Sequence, residues 1–185
     1  TLFQTCALPI FAGDGLATDL ADPTAMVEEG YAKGVPMGAV LPDQTAAPVF
    51  NVYAEKDAQG ANLDRIQIIK GWVDSSGEMK ETIIDVVWSG ERAPDAAGVL
   101  PSVGNTVDVT KAVYTNDIGT ATLMGSWTDP DFDASVGAFY YARVLEIPTP
   151  RWTTYDAVRN GLPLLPEVAA TIQERAWTSP IWYAP

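Results

Sequence analysis

Three alternating carboxylates in Asp129-Pro-Asp-Phe-Asp133 form the strongest local grouping of possible oxygen ligands in the sequence. Ca²⁺ takes about six to eight such oxygens. The segment departs from the helix–loop–helix calcium pattern, because Ala134 stands where a glycine makes the sharp turn and Tyr140 where a bidentate glutamate closes the site. It therefore predicts a solvated turn between two strands, and only weakly a calcium site of Asp129, Asp131 and Asp133. No other metal site is expected in the chain.

A second group of charged and aromatic side chains flanks the Pro-rich segment 147–150, and its members are Glu146, Arg151, Trp152 and Asp156. An Arg–carboxylate pair in this group could orient a substrate, so these four are the binding candidates of the sequence. The same pair could instead fix the Pro-rich loop, and this structural interpretation is favoured. No catalytic residues are predicted. A chain without histidine has no Ser-His-Asp triad, no imidazole-ligated zinc and no histidine general base.

The six tryptophans have two competing interpretations. Indole faces can stack on sugar rings, but buried indoles also supply large apolar areas to cores and interfaces. We favour the core or interface role for most of them, because Trp72 and Trp88 stand in neighbouring predicted strands among Ile and Val. Trp177 and Trp182 would face opposite sides of an unbroken strand. The other two are Trp127 and Trp152.

The elements that must position these side chains are mostly strands. A short helix is predicted over 22–33, with Asp22 as N-cap and Pro23 at the first helical position. Both parities of 48–55 are largely apolar, which predicts a strand covered on both faces. The pattern also predicts a hairpin of 65–73 and 81–88, strands at 106–114, 120–127, 138–147 and 176–183, with Pro180 at an edge or bulge of the last, and a helical turn at 153–159.

Strands of this number and length predict a mainly β fold, an antiparallel immunoglobulin-like β-sandwich with a short N-terminal helical and loop extension. The composition agrees, since 47% hydrophobic and 19% charged residues are typical of a globular domain. The net charge of -13 makes nucleic acid and anionic lipid poor partners, because both require a basic surface. No apolar run approaches the ~20 residues that a membrane-spanning helix needs.

Five segments together carry a resemblance to a known family: Arg65-Ile-Gln-Ile-Ile-Lys-Gly-Trp72, Leu100-Pro-Ser-Val-Gly-Asn-Thr-Val-Asp108, Trp127-Thr-Asp-Pro-Asp-Phe-Asp133, Glu146-Ile-Pro-Thr-Pro-Arg-Trp-Thr-Thr-Tyr-Asp156 and Gln173-Glu-Arg-Ala-Trp-Thr-Ser-Pro-Ile-Trp-Tyr183. From about residue 11 to its end, the chain resembles the C-terminal part of the bacterial family catalogued as domain of unknown function 3604 (DUF3604). Longer members of that family resemble metal-dependent hydrolases of the amidohydrolase and polymerase-histidinol-phosphatase type, with a His-rich metal site in an N-terminal barrel. The resemblance implies that any divalent metal belongs to that barrel, that the barrel is the partner of this chain, and that this chain holds no cofactor.

The chain is expected to divide into three segments. Residues 1–10 are expected to be non-native, because Gln4-Thr-Cys-Ala-Leu-Pro-Ile10 is one reading frame of a common sequencing-adapter strand. Residues 11–46 are expected to be an extension toward the missing hydrolase-like domain, and residues 47–185 a β-sandwich domain. Localisation stays open, with a periplasmic or secreted parent protein slightly favoured.

Three functions remain in competition. The first is a non-catalytic accessory β-domain of an uncharacterised metal-dependent hydrolase. The second is an independent β-sandwich module that binds glycans or other polymers, and the third is a scaffold without a ligand. A large exposed apolar patch would favour docking to a partner domain, and a groove lined by coplanar indoles would favour sugar binding.

Overall fold

Two β-sheets face each other in the computed structural model, which describes residues 7–44 and 46–185. The helices of this part of the chain are α1 (Pro23–Lys33) and α2 (Trp152–Asn160). Its strands are β1 (Ile10–Gly13), β2 (Val35–Pro36), β3 (Val40–Leu41), β4 (Val49–Glu55), β5 (Leu63–Val73), β6 (Met79–Trp88), β7 (Thr122–Thr128), β8 (Ala138–Glu146), β9 (Thr149–Pro150), β10 (Thr171–Ile172), β11 (Arg175–Trp177) and β12 (Ile181–Tyr183).

The smaller sheet has the strand order β2-β1-β4-β7. Alternate residues of β4 point into the sandwich, where Phe50 and Val52 are fully buried, and the opposite face packs Val49 against α1. The predicted strand with two covered faces is therefore confirmed. The predicted helix is confirmed as well, and the Asp22 side chain caps it by accepting a hydrogen bond from the Ala25 N–H at 2.9 Å.

The larger sheet has the order β3-β12-β8-β5-β6, and β11 also pairs with β8. All of its pairs are antiparallel except β12 with β3, which is parallel. Strand β8 alternates strictly, so Ala138, Tyr140, Ala142 and Val144 enter the core opposite the smaller sheet. The mainly β fold with two large facing sheets is thus confirmed, and β9 and β10 form a separate two-stranded antiparallel sheet, while the immunoglobulin-like subtype stays a prediction. Neither described helix has the length and apolarity needed to cross a lipid bilayer.

The predicted strand 106–114 is wrong. The segment forms only an isolated bridge between Asp108 and Val113. The Asp108 carboxylate accepts hydrogen bonds from the Thr110 N–H at 3.0 Å and from the Thr110 hydroxyl at 2.6 Å, and Ala112 has a left-handed φ of 52°. These local hydrogen bonds close a turn where the alternating sequence predicted a paired β-strand.

The predicted strand 176–183 forms as two pieces, β11 and β12, both paired with β8. The break contains Pro180, as expected, and Thr178 bridges it by donating its N–H to the Ala142 carbonyl at 3.0 Å while its hydroxyl accepts the Ala142 N–H at 3.0 Å. The helical turn predicted at 153–159 is slightly longer than expected, since α2 spans Trp152–Asn160 and is capped by Gly161, which has φ 64°.

The N-terminal boundaries stay predictions. Residues 1–6 lie outside the described residues. Within the described part of the supposed non-native segment, Ala7 bridges Glu55, and Ile10 is buried and pairs with Val52. The segment 11–46 contributes most of β1, as well as β2, to the smaller sheet and β3 to the larger one.

Candidate functional site

A cleft of about 640 Å³ opens at one end of the sandwich. The indole of Trp72 enters it from β5 of the larger sheet, and that of Trp127 enters it from β7 of the smaller sheet. Phe132 lines it from the loop that joins β7 to β8. Lys70, Asp129 and Tyr140 also line it, and all three are buried. The aromatic and charged lining makes this cleft the candidate site of the chain.

Lys70 reaches the cleft because of strand parity. In β5 it shares the inward-facing row with Ile66 and Ile68, and it stands opposite Tyr140 of β8. An ammonium at a core position requires an anionic partner. Lys70 Nζ lies 2.6 Å from Asp129 Oδ2 and donates to the Asp131 carbonyl at 3.0 Å. The lysine side chain is only 8% exposed, so the charge is held inside the fold.

Asp129 follows β7 directly and is almost completely buried. Besides Lys70, its carboxylate accepts the Tyr140 hydroxyl at 2.8 Å and the Asp131 N–H at 3.1 Å. Burial, reinforced by the Asp129 carboxylate, raises the pKa of Tyr140 far above its ordinary value. Lys70, Asp129 and Tyr140 therefore form a closed, charge-balanced triad at the base of the cleft.

Several donors in the cleft keep capacity for a ligand. A lysine ammonium has three N–H groups, and described residues accept two of those on Lys70. The indole N–H groups of Trp72 and Trp127 donate to no described residue, whereas that of Trp88 donates to the Arg92 carbonyl at 2.7 Å. Nζ of Lys70 also lies 5.2 Å from the centroid of the Trp72 ring, within cation–π range.

The rim of the cleft is acidic. Asp131 and Asp133 are exposed, and neither forms an ion pair with a described residue. Hydrogen bonds from the Ser135 hydroxyl at 2.7 Å and the Ser135 N–H at 2.8 Å lower the pKa of Asp133. Asp133 is therefore ionised at neutral pH.

The structure gives the weak calcium candidate no support. The lysine ammonium occupies the position beside Asp129 Oδ2, and Asp133 closes its own turn with Ser135. Nowhere in residues 7–44 and 46–185 do three or more Asp, Glu or Cys side chains gather in a way that could hold a metal ion. The segment does form the turn between β7 and β8 that the sequence predicts, but the turn is only partly solvated, because Asp129 is buried while Asp131 and Asp133 are exposed.

The other predicted group lies away from the cleft lining. Glu146 ends β8 and is 4% exposed, and burial, with the nearby Glu174, raises its pKa to about 7. Arg151 precedes α2 without capping it through its side chain, Trp152 is 68% exposed and Asp156 is exposed. No ion pair or hydrogen bond joins these four described side chains, so a binding role for them stays a prediction.

The six tryptophans divide equally by exposure. Trp72, Trp88 and Trp127 are half-buried, whereas the other three are exposed. The break at Pro180 changes the expected orientation of Trp177 and Trp182. Trp177 lies opposite Arg143 and Trp182 lies opposite Phe139, and these two residues of β8 point to the same side of the sheet. Both indoles therefore lie on the same outer face of the larger sheet.

Comparison with known families identifies the chain. A family model described as a protein of unknown function, DUF3604, matches residues 5–185. The chain belongs to the DUF3604 family. No curated protein and no solved structure matches it. Membership in the DUF3604 family carries no assigned activity, so the function must be argued from the cleft.

The sequence interpretation missed Lys70. Its signal was present, because Lys70 occupies the same parity as the apolar residues Ile66, Ile68 and Trp72. A charged residue in a buried row predicts a buried partner. Identifying Asp129 as that partner requires the strand order, since β7 and β5 belong to different sheets.

Proposed function

We propose that this DUF3604 chain is a non-catalytic β-sandwich module that binds a glycan in the cleft. One observation carries the proposal: Trp72 and Trp127 enter the cleft from opposite sheets, next to a lysine N–H and indole N–H groups that donate to no described residue. Aromatic faces stack on sugar rings, and the free donors and rim carboxylates match sugar hydroxyls, which both donate and accept hydrogen bonds.

The triad supports a binding role over a catalytic one. Lys70 and Asp129 neutralise each other, and the Tyr140 hydroxyl donates to the same carboxylate. A general acid or base works best with a pKa near the operating pH. The pKa of Tyr140 is moved away from neutrality by its burial and by Asp129, so the triad is suited to holding the cleft in shape and presenting one N–H to a ligand.

Titration calorimetry with soluble hexasaccharides of cellulose, xylan, mannan and chitin tests the proposal. We expect at least one to bind, and Trp72→Ala or Trp127→Ala to weaken that binding by about tenfold or more, the equivalent of ~1.4 kcal/mol. Trp152→Ala is the matched control, because Trp152 is an exposed indole on α2 outside the cleft. Binding that is equally insensitive to all three substitutions would contradict the assignment to the cleft.

A second candidate function is that of an accessory domain that docks to a metal-dependent hydrolase barrel preceding it in a longer protein. It is favoured by exposed apolar side chains on the outer face of the larger sheet: Val73, Met79, Ile83, Trp177 and Trp182. An apolar face of this kind is typical of a surface that another domain covers. On this proposal the divalent metal belongs to the barrel.

The accessory role is tested on the longer gene. The upstream coding sequence is recovered, and amide hydrogen exchange at β6 and β12 is compared between the whole protein and the 185-residue chain. Docking predicts slower exchange at both strands in the whole protein and metal-dependent hydrolysis by the whole protein alone. An upstream sequence without a barrel, or equal exchange in both proteins, would remove this candidate.

A further inference from the structure

The cleft carries an uneven charge. Lys70 is neutralised by Asp129, and Lys80 lies 3.4 Å from Asp74 at the rim. Asp131 and Asp133 form no ion pair with a described residue, and both line the same cleft as Trp72 and Trp127. The Lys70 ammonium acts on Asp133 only as a minor cause of its lowered pKa. Two exposed carboxylates without an ion pair, beside aromatic walls, favour a ligand that combines an apolar ring face with a positive charge.

The charge of the whole chain acts in the same direction. With a net charge of -13, the surface attracts cations and repels anionic polymers over the distance set by the ionic strength. Asp133 contributes reliably to this field, because the hydrogen bonds from Ser135 keep its pKa low. An anionic sugar such as a uronate would meet both rim carboxylates.

We propose that the preferred ligand of the cleft is a sugar bearing a free ammonium group, that is, an amino sugar or a polymer of amino sugars. This inference rests on the proposed glycan-binding function and specifies its ligand class. In this arrangement the sugar ring stacks between Trp72 and Trp127, and its ammonium lies toward Asp131 and Asp133. The third N–H of Lys70 donates to a sugar hydroxyl oxygen, since it cannot pair with the ammonium.

The test compares three hexasaccharides by calorimetry in mildly acidic buffer: fully deacetylated chitosan, fully acetylated chitin and polygalacturonate. The hydrogen bonds from Ser135 that lower the pKa of Asp133 keep this rim carboxylate ionised under these conditions. We expect the chitosan hexamer to bind about fivefold or more tighter than the chitin hexamer at low salt, and this ratio to fall toward unity at high salt, because exposed charges are screened. The polygalacturonate hexamer should be the weakest of the three.

Two double variants of equal net charge test whether the preference for chitosan arises from Asp131 and Asp133 at the rim. In Asp131→Asn with Asp133→Asn the preference for chitosan should disappear, because only the chitosan hexamer loses ion pairs, and its affinity should therefore fall by more than that of the chitin hexamer. The control is Asp95→Asn with Asp117→Asn, which removes two exposed carboxylates outside the cleft and should keep the preference.

The possible outcomes distinguish failure of the ammonium preference from failure of glycan binding itself. If chitosan and chitin hexamers bind equally, with the sensitivity to Trp72→Ala intact, the ammonium preference is overturned and glycan binding stands. If the control pair abolishes the preference as fully as the rim pair, the attraction is a property of the whole surface and the rim assignment is overturned. If no sugar binds, both the inference and the proposed function fail.

Discussion

Replacing Lys70 with methionine tests whether the triad is a buried ion pair. The side chains of Lys70 and Asp129 are 8% and 2% exposed, so the charges interact with little solvent screening. Removing one partner of a buried pair costs about 3–5 kcal/mol, because the other charge is left uncompensated. In Lys70→Met, Asp129 keeps the hydrogen bonds from Tyr140 and from the Asp131 N–H. We therefore expect a loss near the lower end, about 3 kcal/mol of unfolding free energy, or about 6–12 °C in Tm for a chain of this size.

The assay is urea denaturation followed by tryptophan fluorescence and far-ultraviolet circular dichroism. Lys80→Met is the matched control, because Lys80 is 40% exposed and its ion pairs lie at the surface, where each contributes about 0–1 kcal/mol. In the double variant Lys70→Met with Asp129→Asn, no buried charge remains at this site, and we expect a favourable coupling of about 2–3 kcal/mol. A Lys70→Met variant as stable as Lys80→Met would refute the buried-pair reasoning.

Three further substitutions test other parts of the fold. Burial, with Glu174 nearby, raises the pKa of Glu146 above its ordinary value of 4.5 to about 7, so the fold should lose stability as the pH rises through 5–7. Glu146→Gln should remove up to about 3 kcal/mol of that loss, measured by urea titrations at several pH values. An unchanged pH dependence in the variant would contradict the raised pKa. Gly30→Ala should destabilise by about 1–2 kcal/mol despite better helix propensity, because the new methyl group would overlap the buried Phe11 ring; a stabilised variant in thermal melts would show that the ring can move aside. Asp22→Ala should cost about 1 kcal/mol through loss of the cap on Ala25, and Asp22→Asn, which keeps an acceptor, should cost clearly less in the same melts.

Where side-chain parity and local backbone signals coincide, the sequence was sufficient to predict the structure. The two apolar parities of β4 predicted its two covered faces, and Asp22 with Pro23 predicted the start of α1. The prediction of a strand at 106–114 was wrong because its alternating sequence is the same pattern that a paired strand has. In the structure, hydrogen bonds from Thr110 to Asp108 close a turn instead.

The candidate site depends on contacts that no local pattern contains. Trp72, Lys70 and Asp129 meet only because the ends of β5 and β7, on opposite sheets, lie at the same end of the sandwich. The common face of Trp177 and Trp182 likewise depends on how the break at Pro180 is absorbed. The sequence shows Pro180 but does not show the number of residues that the break removes from the ladder.

The most direct test of glycan binding in the cleft is an ¹⁵N–¹H spectrum of the six indole N–H groups, assigned by single substitutions and titrated with the hexasaccharide panel. The proposed function predicts that the signals of Trp72 and Trp127 shift saturably, while those of Trp88, Trp152, Trp177 and Trp182 stay in place. Saturable shifts confined to Trp177 and Trp182 would move the binding surface to the outer face of the larger sheet, and no shift with any sugar would contradict the proposed function.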